Sequence, residues 1–288
     1  MINVSNAIEI ENLNKKFKGF ELKNVSFNVP KGCIVGFVGE NGAGKTTTLK
    51  AILNLINRDS GTIKIMGMDT IKEEKKIKEN IGVVFDGCNF HDNLKTGDIS
   101  KMMACIYKNW NKERYDQYLK KFKLPNDKAI KEFSRGMKMK LQIAAALSHE
   151  PKVLILDEAT SGLDPVIREE ILDVFMEFIQ DEEHAILISS HITSDLDKIA
   201  DYLVFIHQGE ILLNEEKETM LSRMGILKCG EEDFRRLDQD DYIRYRKNHF
   251  SFEILVNDKQ SIKKKFPDAI VDRATIEEIM LFYVKGEK

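Results

Sequence analysis

The chain has 288 residues, 32% of them charged and 42% hydrophobic, and a formal net charge of −3 at pH 7. That length can bury one large core with a small appendage, and so slight an acidic balance gives no reason to expect nucleic acid as a partner. Cys33, Cys88, Cys105 and Cys229 are scattered with no C-x-x-C spacing, which excludes a zinc ribbon or a dithiol pair and leaves four reduced thiols.

The first residues, Met1-Ile2-Asn3-Val4, lack the basic-then-apolar order of a signal peptide. From Ile8 to Val29 apolar and polar residues alternate, and Pro30-Lys31-Gly32 then makes a turn, so an antiparallel β portion is expected. Ile34-Val35-Gly36-Phe37-Val38 reads as a buried strand, and Thr47 to Leu55 as a helix. A further strand is expected at Gly61–Ile65, then a Lys/Glu-rich helical run, then a strand at Ile81–Phe85. From about Asp86 to Leu147 the spacing becomes helical, with Ile99, Met102, Met103 and Ile106 as one stripe and Tyr115, Tyr118, Leu119 and Phe122 as another. Strands return at Val153–Leu156 and Ala185–Ile188, separated by a helix from Pro165 to about Gln180. A strand pair follows at Tyr202–Ile206 and Glu210–Leu213, and beyond Glu216 a strand at Ser251–Val256 and a helix around Ile276–Val284. Runs such as Val153–Leu156 are too short to span a bilayer, so any membrane role would come through a partner. Strands alternating with helices predict an α/β fold with a parallel sheet, preceded by antiparallel strands and interrupted by a helical insert.

Gly39-Glu40-Asn41-Gly42-Ala43-Gly44-Lys45-Thr46 fits G-x-x-x-x-G-K-[ST] and joins an expected strand to an expected helix. Glycines let successive N–H groups converge on an anion without Cβ clashes. The new helix adds unpaired N–H groups and the positive end of its dipole. Residues Gly39 through Thr47 are therefore assigned to a nucleotide triphosphate, with Lys45 on the β- and γ-phosphates and the Thr46 hydroxyl on Mg²⁺.

Val153-Leu154-Ile155-Leu156 ends in Asp157-Glu158. A strand of that kind is buried on both faces, and its carboxylates emerge at the C-terminal edge where parallel sheets bind ligands. Asp157 is assigned to the metal and Glu158 to the general base that activates water. Upstream, Ser134 in Phe133-Ser134-Arg135-Gly136-Met137 is a suitable N-cap for a second helix start able to face an anion.

In this order, the phosphate loop, the Ser-x-Gly turn, Asp157-Glu158, Ser161-Gly162-Leu163-Asp164 and Ser189-Ser190-His191 resemble the ATP-binding subunits of ABC transporters, from about Ile8 to Leu213. The resemblance implies a head-to-tail dimer, with ATP clamped between one subunit's phosphate loop and the other's signature turn. Ser134 and Gly136 would touch the γ-phosphate held by the opposite subunit, Asp164 would sit at the seam, His191 would contact the γ-phosphate, and Phe17 would stack on adenine. The alternative for Phe17 is a core aromatic. Three positions depart from the family: Asp86 stands where a Gln contacts Mg²⁺, Arg135 and Met137 replace the second and fourth signature residues, and Ala159 replaces a Pro. A carboxylate at Asp86 could still meet the metal.

The resemblance further implies an ATP hydrolase with ATP and Mg²⁺, paired as a homodimer or with a related ATPase, working at the cytoplasmic face of a membrane through an integral-membrane transporter subunit. Residues 1–215 would form the ATPase unit, with an inserted helical part at about 86–149, and 216–288 a C-terminal accessory region. Bacterial exporters of peptides, antibiotics or drugs are the nearest type. Phe90, His91, Leu94, Met102, Met103 and Tyr107 are candidates for a groove that receives the membrane subunit, although Met102 and Met103 fit the insert's own core better. Two other readings stand beside this one: a soluble ABC-type ATPase that drives assembly of a non-transport complex, and a non-hydrolysing sensor, for which Asp86 is the support.

Overall fold

The computed structural model describes residues 5–248 and 251–288, so the reading of Met1–Val4 lies outside the described residues. In chain order the first half contains β1 (Asn6–Phe17), β2 (Phe20–Pro30), β3 (Ile34–Val38), α1 (Lys45–Ile52), β4 (Ser60–Ile65), β5 (Met68–Asp69), α2 (Glu74–Lys78), β6 (Ile81–Val84), α3 (Thr96–Ile106), α4 (Lys112–Lys121) and α5 (Arg135–Leu147). The second half continues with β7 (Val153–Asp157), α6 (Pro165–Phe178), β8 (Ala185–Ser190), α7 (Thr193–Ile199), β9 (Tyr202–His207), β10 (Glu210–Glu216), α8 (Lys217–Arg223), β11 (Gly225–Cys229), α9 (Glu231–Phe234), β12 (Tyr242–Lys247), β13 (Phe252–Val256), α10 (Lys259–Lys265), β14 (Ile270–Arg273) and α11 (Ile276–Lys285).

The central sheet has the order β10-β9-β3-β8-β7-β6, parallel from β9 through β6 with β10 antiparallel at one edge. Every residue of β3, β7 and β8 is buried, as continuous apolar runs require when helices or strands cover both faces. A second, antiparallel sheet, β2-β1-β4-β5, packs on one face through a core of Ile8, Ile10, Leu22, Val25, Phe27, Phe37 and Val204. Gly61–Ile65 therefore belongs to this antiparallel sheet rather than to the parallel one.

The opposite face carries α3, α4, α5, α6 and α7 in one continuous core with Ile34, Leu154, Ile186 and Phe205. Tyr115, Leu119 and Phe122 from the second predicted stripe are buried there, and Ile99 alone is fully buried from the first. Met103 packs against that core, but Met102 is 38% exposed, which corrects the expectation that both methionines are internal. The α3 stripe is only half used because α3 lies at the margin of the core, packed against α4 and α5 on its inner side with Met102 and Ile106 exposed.

The chain beyond β10 builds a third sheet, β12-β13-β11-β14, with α10 and α11. The sequence indicated only β13 and α11 of these, because short strands such as Gly225–Cys229 and Ile270–Arg273 have too few residues to establish a period. This part has its own cluster around Leu227, Phe252, Ile254 and Val256. It also shares the main core through Met220, Ile276, Ile279 and Phe282, with Tyr283 edge-on to Phe205 at 5.9 Å. All four cysteines are free.

Candidate functional site

The loop after β3 is shaped by three close approaches. A Cβ at Gly39 would lie 2.4 Å from the Ile206 carbonyl oxygen, and Gly44 has φ +117° with Leu22 and Phe20 side chains 2.8 and 3.0 Å from where a Cβ would stand. Only glycine satisfies both demands. The loop is tied down by Gly209, whose N–H donates to the Ala43 carbonyl at 2.9 Å. Lys45 is buried and turns back over the loop, donating to the carbonyls of Gly39 at 2.7 Å and Glu40 at 3.2 Å.

The parallel pairing of β7 with β8 sets Asp157 beside Ser189. Ser189 Oγ donates to Asp157 Oδ1 at 2.6 Å, and Thr46 Oγ1 donates to Asp157 Oδ2 at 2.9 Å. Glu158 follows with φ +54°, a left-handed conformation that a glutamate adopts only when its surroundings enforce it. Here its N–H is held by the Ser189 carbonyl at 3.1 Å and the Ser189 hydroxyl at 3.2 Å. Glu158 Oε1 then lies 3.3 Å from Lys45 Nζ, and Oε2 lies 2.6 Å from His191 Nδ1. Ser189, a residue outside the site assignments, thus bonds the Asp157 carboxylate and fixes the Glu158 backbone. Its signal was the apolar run ending in Ser189-Ser190 beside another ending in Asp157-Glu158.

These residues meet in a cavity of about 730 Å³ lined by Gly19, Phe20, Glu40, Asn41, Gly42, Gly44, Lys45, Thr46, Thr47, Asp86, Asp157, Glu158, Ser161 and His191. Most of the predicted site is thus brought together. Gly39 and Ala43 form the loop's frame rather than its lining. Phe17 is 43% exposed, which rules out the core-aromatic alternative. It pairs with Phe20 across the β1–β2 turn, and Phe20 is the aromatic that reaches the cavity.

Ser134, Gly136 and Asp164 do not line the cavity of their own chain. Ser134 caps α5 by accepting from the Met137 N–H at 3.2 Å, and Asp164 caps α6 by accepting from the Ile167 N–H at 3.1 Å. A Cβ on Gly136 would stand 2.5 Å from Ile167 Cδ1, so the starts of α5 and α6 are packed together. Arg135 Nη2 donates to Asp86 Oδ1 at 3.0 Å, joining the signature turn to the rim of the cavity.

The donor set around Thr46 fits a hard divalent cation: a hydroxyl and an aspartate in contact, with a second aspartate lining the same cavity. Among the described residues no group of three or more His, Cys, Asp or Glu converges as an all-protein metal cage would. Mg²⁺ held by one or two carboxylates and substrate phosphates needs no such cage.

A second concavity, of about 680 Å³, runs between the end of α1, α2, β6 and the end of α3, lined by Leu55, Ile71, Val83, Phe85, Ile106 and Tyr107 among others. Leu55, Ile71 and Ile106 are 53%, 57% and 61% exposed. Of the six residues expected to form a partner groove only Tyr107 lines it; Phe90 and Leu94 pack against the main core, and His91 is exposed. Tyr107 is stacked at 3.9 Å on His149, which is buried and bonded through Nε2 to the Ile81 carbonyl at 3.0 Å. Burial pushes the His149 imidazolium below its usual range. Among the described residues no helix is long and apolar enough to cross a membrane.

A parallel sheet whose strand ends carry a phosphate loop, a Thr–Asp pair and a Lys–Glu–His row defines a P-loop nucleotide triphosphatase. Residues 22–161 match the ABC transporter family. The chain is 36% identical over 212 residues to the bacitracin transport ATP-binding protein of Bacillus licheniformis, covering 73% of this chain and 69% of that one. It is 35% identical to a lantibiotic transport ATP-binding protein of Streptococcus pyogenes, with 73% and 90% covered. A putative ABC transporter ATP-binding protein of Mycoplasma pneumoniae is 31% identical over 99% of this chain and 90% of its own. Among solved structures, an ATP-binding subunit of an ABC transporter superposes with a TM-score of 0.68 at 26% identity, covering 74% and 91% of the two chains. The chain belongs to the ATP-binding proteins of ABC transporters and is an ATP hydrolase of that class.

Proposed function

We propose that this chain drives export of a peptide or peptide-like antibiotic, working at the cytoplasmic face of a membrane as a head-to-tail pair bound to an integral-membrane subunit. The observation that carries the reading is that the chain presents two half-sites: a cavity lined by Lys45, Thr46, Asp157, Glu158 and His191, and a signature turn, Ser134 to Gly136, outside it. A phosphate loop alone leaves the γ-phosphate open on one side. A second subunit's helix start, closing over it, would exclude water and add donors where charge develops.

In this reading Gly39 to Thr47 hold the phosphates, Thr46 and Asp157 would hold Mg²⁺, and Asp86, which lines the same cavity, would approach it. When bound, Mg²⁺ would neutralise charge on the β- and γ-phosphates. Glu158 accepts a proton from the attacking water, and His191, bonded to Glu158, steadies its carboxylate and faces the γ-phosphate. Phe17 and Phe20 form an aromatic edge for the base. Ser134, Gly136 and Asp164 serve the partner's nucleotide. Residues 1–215 act as the ATPase unit, with the helical part at 86–149, and 216–288 as an accessory region whose helix α11 shares the main core.

The groove by Leu55, Ile71 and Ile106 suits a short helix of the membrane subunit. Phe85 lines that groove and the adjacent Asp86 lines the nucleotide cavity, so a shift at one is felt at the other. The similarity to bacitracin and lantibiotic transport proteins supports peptide-like cargo.

The test is to tag the chain, extract native membranes in mild detergent and identify what co-purifies. A protein with several membrane spans that stimulates ATP turnover supports the reading. Exclusively soluble partners, with the chain absent from membranes, would refute it in favour of an assembly ATPase.

A further inference from the structure

Two of the positions where this chain departs from its family are in contact. Arg135 Nη2 donates to Asp86 Oδ1 at 3.0 Å, and the same guanidinium lies over Gly162, where a Cβ would stand 2.6 Å from Nη1 and 2.8 Å from Cζ. One side chain therefore touches the segment after β6, the start of α5 and the loop before α6. Gly162 has φ +66°, so the loop before α6 leaves room for the guanidinium in a conformation that glycine adopts without strain.

Arg135 occupies the first turn of α5, where a cation opposes the helix dipole, and that turn holds no acidic residue of its own. Asp86 supplies the missing negative charge from another element. Asp86 also lines the cavity that contains Thr46, Asp157 and Glu158. The pair is half-exposed on both sides, 54% and 55%, a setting in which ion pairs are weak and exchange readily.

We infer that Asp86 and Arg135 form a nucleotide-dependent exchange. Without nucleotide, Asp86 masks Arg135. When Mg²⁺ and ATP occupy the cavity, the Asp86 carboxylate turns to the cation, and Arg135 is released as an unpaired guanidinium beside Ser134. It is then free to bind the triphosphate held by a second copy of the chain. Filling one cavity thereby arms the same chain's signature turn for its partner. The inference rests on the paired-subunit reading above.

The test uses the full chain in a Glu158→Gln background, which blocks turnover, with ATP titrated calorimetrically in Mg²⁺ and in EDTA at low subunit concentration. Arg135→Ala should tighten ATP binding about two- to fivefold in Mg²⁺ and not in EDTA, because Asp86 no longer has to leave a partner. In Asp86→Asn the same substitution should have no effect. Equal tightening with and without Mg²⁺, or an Arg135→Ala effect that persists in Asp86→Asn, overturns the exchange.

Sedimentation at higher concentration then reads the second half. Arg135→Ala should weaken the Mg²⁺–ATP dimer at least about tenfold. A parental dimer that Arg135→Ala leaves unweakened overturns the transfer to the partner alone. Absence of any dimer in the Glu158→Gln parent overturns the paired-subunit reading, and the transfer with it.

Discussion

Replacing Lys45 by Met isolates its charge, because Met keeps the unbranched apolar volume. The side chain is 6% exposed and its ammonium has three partners: the Gly39 carbonyl at 2.7 Å, the Glu40 carbonyl at 3.2 Å and Glu158 Oε1 at 3.3 Å. Loss of the buried bond to Gly39 costs about 1 kcal/mol. Leaving Glu158, only 14% exposed, without its cation costs about another 1–1.5 kcal/mol, well below the 3–5 of a fully buried pair because His191 remains bonded to it. The expected destabilisation of nucleotide-free protein is thus about 2–2.5 kcal/mol, a fall in Tm of about 4–10 °C. Glu158→Gln removes the orphaned charge, so in that background Lys45→Met should cost about 1 kcal/mol less. Urea denaturation of the four proteins measures the cycle, and calorimetry should show ATP binding weakened about 30- to 150-fold by Lys45→Met, the loss of a charged hydrogen bond worth about 2–3 kcal/mol. If Lys45→Met is as stable as its parent without nucleotide, Lys45 is not held by Glu158 and the loop, and the reasoning fails.

Gly209→Ala would drive a Cβ to 1.8 Å from the Glu21 carbonyl oxygen at φ +80°, so a loss of about 3 kcal/mol in stability is expected by denaturation, together with weaker ATP binding as the Ala43 anchor shifts. Because burial lowers the His149 pKa, the unfolded chain takes up a proton that the native ring refuses as pH falls below 6.5. Stability should therefore decline from there toward the lower native value, by up to about 1.4 kcal/mol per pH unit, and urea midpoints should show that component missing in His149→Phe. If the proposed membrane subunit docks in the groove, Ile106→Asp should weaken its co-purification at least about tenfold while ATP affinity stays within twofold, since Ile106 is 61% exposed and lines the groove but not the nucleotide cavity. Ser189→Ala should lower kcat more than it raises KM for ATP, because Ser189 Oγ orients Asp157 and the Glu158 backbone; unchanged kcat would remove it from the site.

The phosphate loop, the strand ending in Asp157-Glu158 and the alternation of strands with helices were legible in the sequence because each is local. A glycine pattern dictates a loop, and a run of four apolar residues dictates a doubly buried strand, whatever surrounds them. The third sheet was hidden, since its strands acquire meaning only when β11 pairs with β13 and β14. The same holds for the carboxylates' orientation, which depends on the register that places Asp157 opposite Ser189. The family resemblance placed the partner groove on the helical insert, at Phe90, His91, Leu94, Met102, Met103 and Tyr107, and of these Tyr107 lines the observed groove. The exposed apolar surface instead gathers where α1, α2, β6 and α3 meet, a junction that no single stretch encodes.

Sequence alone determined what this protein binds, because phosphate recognition is written in contiguous residues. Tertiary structure decided how the site is wired. Lys45 to Glu158 to His191, Thr46 to Asp157 to Ser189, and Asp86 to Arg135 each join residues dozens to more than a hundred positions apart, and only the packing of α1 and α5 against the strand ends of the central sheet brings them within reach.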